Sequence, residues 1–219
     1  MSDPGRKGNF ACPVCRSAAV RLFIEVDERA YWRCETCLAT CLDPGQRLSP
    51  DDEYAHYRHH ENDPDDLRYR AFLSKLADPL LIKLKPGMRG LDFGCGPGPA
   101  LATMFEEAGL QMALFDPFFR NDPAVFEQRF DVITLSEVAE HLFEPAKVFD
   151  DLGERLKPGG WLGVMTCFQT DDERFAAWHY RRDPTHVVFY RSSTWRVVAE
   201  QRGWHWEVPR KDVALMQKP

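Results

Sequence analysis

Two C-x2-C pairs, Cys12/Cys15 and Cys34/Cys37, stand 18 residues apart near the start of the chain. Each knuckle aims two thiolates at one point, and two knuckles complete the tetrahedron that a zinc ion prefers. Further along, Gly94, Gly96 and Gly98 alternate in the turn Leu91-Asp92-Phe93-Gly94-Cys95-Gly96-Pro97-Gly98. Glycines there permit left-handed backbone and a close approach to a ligand, and a helix that follows offers unpaired N–H groups. Asp116 lies 24 residues after Asp92, the separation at which a βαβ unit sets a carboxylate on a ribose diol. A third set, Glu140-His141 and Trp178-His179-Tyr180-Arg181-Arg182-Asp183-Pro184-Thr185-His186, holds imidazoles beside carboxylates. Those residue types accept and donate protons near neutral pH.

The elements that must position them follow from pattern. The apolar run Leu91 to Phe93 ends at the glycine turn, and Ala100 to Glu107 reads as the helix after it. Gln111 to Phe115 and Phe130 to Leu135 read as further strands. Leu156-Lys157-Pro158-Gly159-Gly160 closes a helix and opens the strand Trp161 to Thr166. Upstream, Phe72, Leu73, Leu76, Leu80, Leu81 and Leu84 recur at helical spacing over Leu67 to Leu84, and Lys85-Pro86-Gly87 stops that helix. Near the end, Val187 to Tyr190 is an apolar strand, Ser193 caps a helix from Thr194 to Arg202, and Trp204 to Val208 with Val213 to Met216 form an antiparallel hairpin. Around the cysteines, Ala19 to Val26 and Ala30 to Arg33 form a hairpin turning near Asp27-Glu28-Arg29. The expected fold is α/β: a Rossmann-like doubly wound sheet, mostly parallel with an antiparallel last strand, preceded by a small zinc ribbon. The boundaries fall at 1–47 for the ribbon, 48–85 for an acidic linker and lid helix, and 86–219 for the main domain.

The glycine order separates two nucleotide chemistries. The hydride-transfer fingerprint is G-x-G-x-x-G, which seats a pyrophosphate; here it is G-x-G-x-G with Asp92 just upstream. An acid at that point suits an ammonium group and repels a pyrophosphate. LDFGCGPG, FDP, FDVITLSEVAEHL and LKPGG, in this order over roughly residues 86 to 219, resemble the motifs of class I S-adenosylmethionine-dependent methyltransferases. The resemblance implies that Asp92, Gly94, Cys95, Gly96 and Gly98 hold the amino-acid end of S-adenosylmethionine, that Asp116 holds its ribose, and that Ser136 and Glu137 flank its methyl-bearing arm. The thirteen residues between Asp116 and Phe130 leave room for at most a short helix, where such enzymes fit a helix and a strand. That departure shifts the adenine contact onto Pro117, Phe118 or Phe119, with core packing an equal contender for either phenylalanine. The block Asp183-Pro184-Thr185-His186-Val187-Val188-Phe189-Tyr190 resembles a signature of small-molecule methyltransferases. His141, His186 and His179, in that order, are candidate bases, with Asp183 orienting His186. The alternatives remain that His141 braces a helix and that Asp183 and His186 are a buried pair holding the loop.

Other residues have blander readings. Four thiolates leave zinc no open position, so the metal at Cys12, Cys15, Cys34 and Cys37 is structural. Cys41 is a spectator beside it, and Cys95 is a small filler. Residues 48–66 carry seven acids among tyrosines and histidines. They read as a solvated linker or, by resemblance, as a lid in which Tyr54, Tyr57, Tyr69 and Arg70 reach the cofactor. His59-His60 lacks any partner at ligand spacing.

Composition bounds the function. The formal charge is −6, and through residue 45 six Lys/Arg balance six Asp/Glu, a poor footprint for nucleic acid. There is no apolar run of about 18 residues for a membrane span and no apolar core for a secretory signal near the N-terminus. A cytoplasmic protein is expected, without disulfides. The leading reading is methyl transfer to a small-molecule acceptor. An RNA or protein methyltransferase using the ribbon for recognition is the second, and a non-catalytic cofactor-binding scaffold the third.

Overall fold

The computed structural model describes residues 6–57 and 63–219. The histidines His59 and His60, and the side chain of Tyr57, lie outside the described residues.

The main sheet has six strands in the order β5-β4-β6-β7-β10-β9. β4 (Arg89–Phe93), β5 (Gln111–Phe115), β6 (Phe130–Ser136) and β7 (Leu156–Met165) are parallel; β10 (Val213–Gln217) and β9 (His205–Arg210) close the sheet antiparallel. β6 is an almost continuous apolar run because helices or loops cover both its faces, and Val132, Ile133 and Leu135 are fully buried. Gly163 lets α2 (Leu67–Leu81) close on β7: a Cβ there would sit 2.6 Å from Leu80 Cδ1. The α2 helix starts where the Asp66 side chain accepts from Arg68 N. It ends three residues before the expected Leu84, because Lys83 and Leu84 turn more tightly, donating to the carbonyls of Leu80 and Leu81. α3 (Ala100–Glu107) occupies the expected residues.

Several boundaries differ from expectation for local reasons. β7 already begins at Leu156, opposite Phe130; Lys157–Gly160 loops out before pairing resumes between Val132 and Trp161. Between Asp116 and Phe130 there is a single 3-10 turn, Pro123–Glu127, and no strand. α5 (Ser192–Glu200) starts one residue before the expected cap, and the hydroxyl that closes its first turn belongs to Thr194, which accepts from Arg191 N at 3.0 Å.

The cysteine-bearing segment makes its own sheet. β1 (Val20–Val26) and β2 (Arg29–Cys34) form the expected hairpin, with Asp27 at φ 52° and Glu28 at φ 61°, the left-handed pair a tight two-residue turn requires. A third strand, β3 (Thr40–Leu42), was not legible at three residues. It pairs antiparallel with β8 (Val188–Phe189), so the small sheet has the order β1-β2-β3-β8. The apolar segment Val187 to Tyr190 thus joins the small cysteine-bearing sheet and not the main sheet. Tyr31 and Phe189 pack edge-on at 6.0 Å with Phe175 between them, and the buried residues of both parts form one continuous cluster. Polar bonds run along the same seam: Thr194 Oγ1 donates to Cys37 O, Gln201 Nε2 to Cys15 O, and Ala146 N to Pro13 O.

Phe189 is fully buried at the centre of this seam. Phe189→Ala should cost about 3–5 kcal/mol and lower the melting temperature by roughly 10 °C, in one transition followed by Trp32 fluorescence and by circular dichroism. Two separated transitions, with the tryptophan signal unmoved, would show that the seam does not couple the two parts.

Candidate functional site

A cavity of about 670 Å³ opens at the carboxyl ends of β4, β5 and β6, where open parallel sheets bind ligands. Its floor is the glycine turn. Gly94 and Gly96 have φ of 79° and 62°, and a Cβ on Gly94 would sit 2.4 Å from Val138 Cγ2. Pro97 and Gly98 complete the turn, and α3 begins directly after it.

The acids are held in different ways. Asp92, at the end of β4, is buried and accepts from Thr134 Oγ1 at 2.9 Å. Burial pushes its pKa up to about 6, against the Thr134 hydrogen bond, and the charge of Asp116 adds to the rise. Asp116 ends β5 and spends its oxygens on backbone: Oδ2 accepts from Gly96 N at 3.0 Å, and Oδ1 from the amides of Phe118 and Phe119. It therefore ties the glycine turn to the Pro117-Phe118-Phe119 turn, and Oδ2, with one donor, retains a second lone pair. Pro117, Phe118 and Phe119 line the cavity. Burial raises the Cys95 thiol to about 12, as suits a filler.

At the far end of β6 the backbone does something unusual for its residue type. Glu137 sits at φ 53°, a left-handed conformation that costs a non-glycine residue on the order of 1 kcal/mol or more and clusters at functional sites. Glu137 lines the cavity with Ser136. Its Oε2 is 3.1 Å from Tyr180 Oη, which is 2.5 Å from Glu140 Oε1 and 3.0 Å from Thr166 Oγ1. A phenol has one hydrogen, and the shorter contact gives it to Glu140. Burial, then the neighbouring Glu140, pushes the Glu137 carboxyl well above the usual range and favours its neutral form, and burial pushes Glu140 the same way. Glu140 Oε2 is buried without a hydrogen-bond partner.

His141 and His186 meet here, their rings 4.7 Å apart and edge to face. His141 Nδ1 lies 3.2 Å from Thr185 O, and His186 Nδ1 lies 2.7 Å from Tyr180 O. A carbonyl only accepts, so both Nδ1 atoms carry the hydrogen and Nε2 carries each lone pair. Burial, then His141, lowers the His186 pKa to about 4, leaving it neutral. Asp183 Oδ2 is 3.9 Å from His186 Nε2, while its Oδ1 accepts from the Thr185 amide and hydroxyl and lies 3.5 Å from His56 Nε2. Asp183 therefore caps its own loop as well as facing the imidazole.

The expected residues thus divide clearly. Asp92, Gly94, Cys95, Gly96, Gly98, Asp116, Pro117, Phe118, Ser136, Glu137, His141, Asp183 and His186 share one cavity. His179 is exposed and is not among its lining residues; its ring meets Tyr180 at 6.4 Å. Of the lid candidates, Tyr69 lines the cavity, Tyr54 packs its ring 5.4 Å from Phe118, and Arg70 instead pairs with Glu107 on the surface. α1 (Pro50–Tyr57) also places Glu53 on the lining. Tyr180 and Glu140 went unread: a tyrosine forty residues from its carboxyl partner leaves no spacing signal.

The four knuckle cysteines form a second cluster. They are buried, and their sulfurs lie within 4.8 Å of one another, with Cys12–Cys37 at 3.6 Å and Cys15–Cys34 at 3.5 Å. These separations exceed any disulfide and approximate the edges, about 3.8 Å, of a thiolate tetrahedron with Zn–S bonds of about 2.3 Å. Cys41 is outside the cluster; its thiol donates to Trp32 O.

The hydroxyl of Tyr180 links Glu137, Glu140, Thr166 and the Cys167 amide. Tyr180→Phe should destabilise the chain by about 1–3 kcal/mol, since buried acceptors lose their partner. Denaturant melting checks this, and an unchanged midpoint would mean the network carries no net stability.

Comparison with known proteins agrees with this geometry. The family described as a methyltransferase domain matches residues 54–207. The chain is 29% identical over 89 residues to the ubiquinone biosynthesis O-methyltransferase of Proteus mirabilis, 41% of this chain and 35% of the relative. It is 30% identical over 93 residues to that of Histophilus somni, 41% of this chain and 37% of the relative. The matched stretch thus spans about a third of the length of these curated relatives. A SAM-dependent methyltransferase from Archaeoglobus fulgidus superposes with a TM-score of 0.53 at 15% identity, covering 68% of this chain and 94% of the other, which shows a shared fold. With the family match covering most of its length, the chain belongs to the methyltransferase-domain family.

Proposed function

We propose that the chain is an S-adenosylmethionine-dependent methyltransferase acting on a small-molecule acceptor. The observation that carries this is the charge of the cavity. Asp92, Asp116 and Asp183 line it, and among the described residues no lysine or arginine does. A phosphate-bearing dinucleotide would be repelled, whereas a ligand carrying a sulfonium and an ammonium supplies the missing positive charge. The volume also suits a nucleoside with a small acceptor beside it.

When bound, the cofactor supplies a methyl group on a sulfonium, already an excellent leaving group; the protein's tasks are alignment and exclusion of water. Asp92, ionised above about pH 6, holds the ammonium. In the Gly94–Gly98 turn the amides of Gly94 and Cys95 donate to Phe115 O and that of Gly96 to Asp116, and Pro97 has no N–H, so the Gly98 amide is the one that holds the carboxylate. Asp116 uses the remaining lone pair of Oδ2 on a ribose hydroxyl. Phe118 and Phe119 offer their faces to the adenine, with Tyr54 behind Phe118. Ser136 and Glu137 flank the methyl-bearing arm, and neutral Glu137 can sit there without adding another charge. Beyond them, Leu142 and Phe143 give an apolar wall, and His141 and His186 present the nitrogens that face the acceptor. His179, on the surface, takes no part in this arrangement. The names of the sequence relatives, O-methyltransferases of ubiquinone biosynthesis, support a small acceptor methylated at oxygen. The balanced charge of the ribbon argues against a nucleic-acid acceptor.

The Cys12, Cys15, Cys34 and Cys37 cluster is proposed to hold a structural zinc ion in a ribbon spanning residues 1–47, with 48–85 as linker and lid helix and 86–219 as the catalytic domain. The fit of the sulfur separations to a tetrahedron supports it, and a closed four-thiolate site leaves no position for a substrate. Among the described residues no helix is long and apolar enough to cross a membrane.

Turnover of methyl-labelled cofactor against fractionated metabolites, RNA and protein tests the main reading. Label should enter the metabolite fraction; label confined to RNA or protein, or no transfer with any fraction, overturns it. Gly94→Ala, which drives a methyl into Val138 and strains a φ of 79°, should weaken S-adenosylhomocysteine binding at least about tenfold in calorimetry, the effect of roughly 1.4 kcal/mol; unchanged affinity would place the nucleoside elsewhere. Cys37→Ser should abolish the zinc found by elemental analysis and destabilise the whole chain by at least about 3 kcal/mol, given the size of structural zinc energies. A zinc-free variant with wild-type melting would make the ion dispensable.

A further inference from the structure

We propose that Glu140, His141 and His186 form a second metal site, taking a divalent transition-metal ion at the acceptor end of the cavity. One ligand atom from each of the three lies within 4.8 Å of the others. His141 Nε2 is 3.9 Å from Glu140 Oε1, inside the roughly 4.2 Å that two ligands of one ion can span when each bond is about 2.1 Å. The other separations are at most 4.8 Å, so the three atoms draw together slightly to share one ion.

Three independent features favour an ion over a chance cluster. First, each imidazole has its Nδ1–H committed to a backbone carbonyl, Thr185 O or Tyr180 O. That second bond fixes the tautomer and directs the lone pair through Nε2, as in metal-ligating histidines. Second, Glu140 is completely buried, and its Oε2 has no hydrogen-bond partner while Oε1 is held by Tyr180. A buried oxygen of this kind requires a proton or a cation. Third, Asp183 and Glu137 add further carboxyl groups around the same spot, and among the described residues no lysine or arginine lines the cavity. The set of two imidazoles and one carboxylate is a recognised donor set for zinc, iron, cobalt and nickel, and three protein ligands leave positions open.

His141 and His186 line the cavity, so an open position faces it. The role there rests on the methyl-transfer reading. An acceptor hydroxyl bound to the ion becomes more acidic and loses its proton to solvent. Its oxygen then forms the new O–C bond as the C–S bond breaks, the electron pair leaving with sulfur. The acceptor class is an ionisable oxygen, such as a phenol or an enol, rather than an amine.

Cobalt(II) added to the zinc-replete full chain should bind as a single further ion per chain, with visible ligand-field bands and no thiolate-to-metal charge-transfer band. Glu140→Gln and His186→Gln, judged folded by zinc content and a single melting transition, should bind cobalt at least about tenfold more weakly. Equal affinity in these variants, or a thiolate band showing that cobalt has entered the cysteine site, overturns the proposal. In the wild-type chain, nitrogen resonances of His141 and His186 should shift at Nε2 on adding zinc; unmoved resonances overturn it without recourse to variants. A small hydroxamate added to the cobalt-loaded chain should displace water and shift the bands, and unaltered bands would show a closed site and remove the acceptor role. Calorimetry with S-adenosylhomocysteine separates the two readings. Cobalt binding without nucleoside heat upholds the ion site and removes methyl transfer, whereas nucleoside heat without cobalt binding does the reverse.

Discussion

Negative charge gathered in a cavity where the described residues place no lysine or arginine is the constraint that shapes this protein. A lone carboxylate taken out of water is costly enough to protonate instead of remaining ionised, and several are needed at one sheet edge. The fold treats each differently. Asp116 is satisfied by three backbone amides and in that way fixes the glycine turn against its neighbour. Asp92 has Thr134 and a pKa raised towards neutrality. Glu137 and Glu140 share one phenol. Stability and ligand preference are thus linked: each partly answered carboxyl group stores a preference for a cation, which the bound ligand can satisfy.

The small cysteine sheet belongs to the same construction. Leu42 N donates to Val187 O, and Val187 N donates to Glu140 O, so one extended segment is stitched on one side to the ribbon and on the other to the carboxyl-bearing turn. Arg181, almost fully buried, bonds Asp27 at 2.7 Å and Tyr31 Oη at 3.3 Å from the same segment. Arg33 and Arg191 meet on Asp172. His186 lies between these anchors. The cysteine-bearing sheet is therefore placed to hold the His141 and His186 end of the cavity in position, a role that needs neither basic charge nor an open metal coordination site.

What could be read from the sequence was what is encoded locally. The glycine turn, α3 and the strands on either side have their causes within a few residues: positive φ at glycine, an apolar run, a proline or glycine stop. The antiparallel end of the sheet followed from a hairpin signal. Features made by distant residues were not legible. β3 is too short for a period, and its partner β8 is nearly 150 residues away, so Val187 to Tyr190 looked like any buried strand. The phenol between Glu137 and Glu140 has no motif. His179 stands in the same polar block as His186, but the 3-10 turn His179–Arg182 points consecutive side chains in different directions, burying Tyr180 and Arg181 and leaving His179 outside. Titratable residues in one stretch of sequence are not titratable residues in one site.

That division between local and distant causes also separates the two halves of the cavity. The side proposed for the nucleoside is built by consecutive βα turns of the parallel sheet, which Asp116 ties to each other. The acceptor side is built by a β6 turn with a left-handed glutamate, a loop after β7, and a metal-competent ribbon from the other end of the sequence. Its histidines depend on carbonyls from Thr185 and Tyr180 for their orientation, and that loop depends on β3 for its place. Acceptor chemistry can then be altered by substitutions in the seam between ribbon and loop, far from any ligand, without touching the glycine turn. The half of the cavity that is easiest to recognise is thus the half least able to say what the acceptor is.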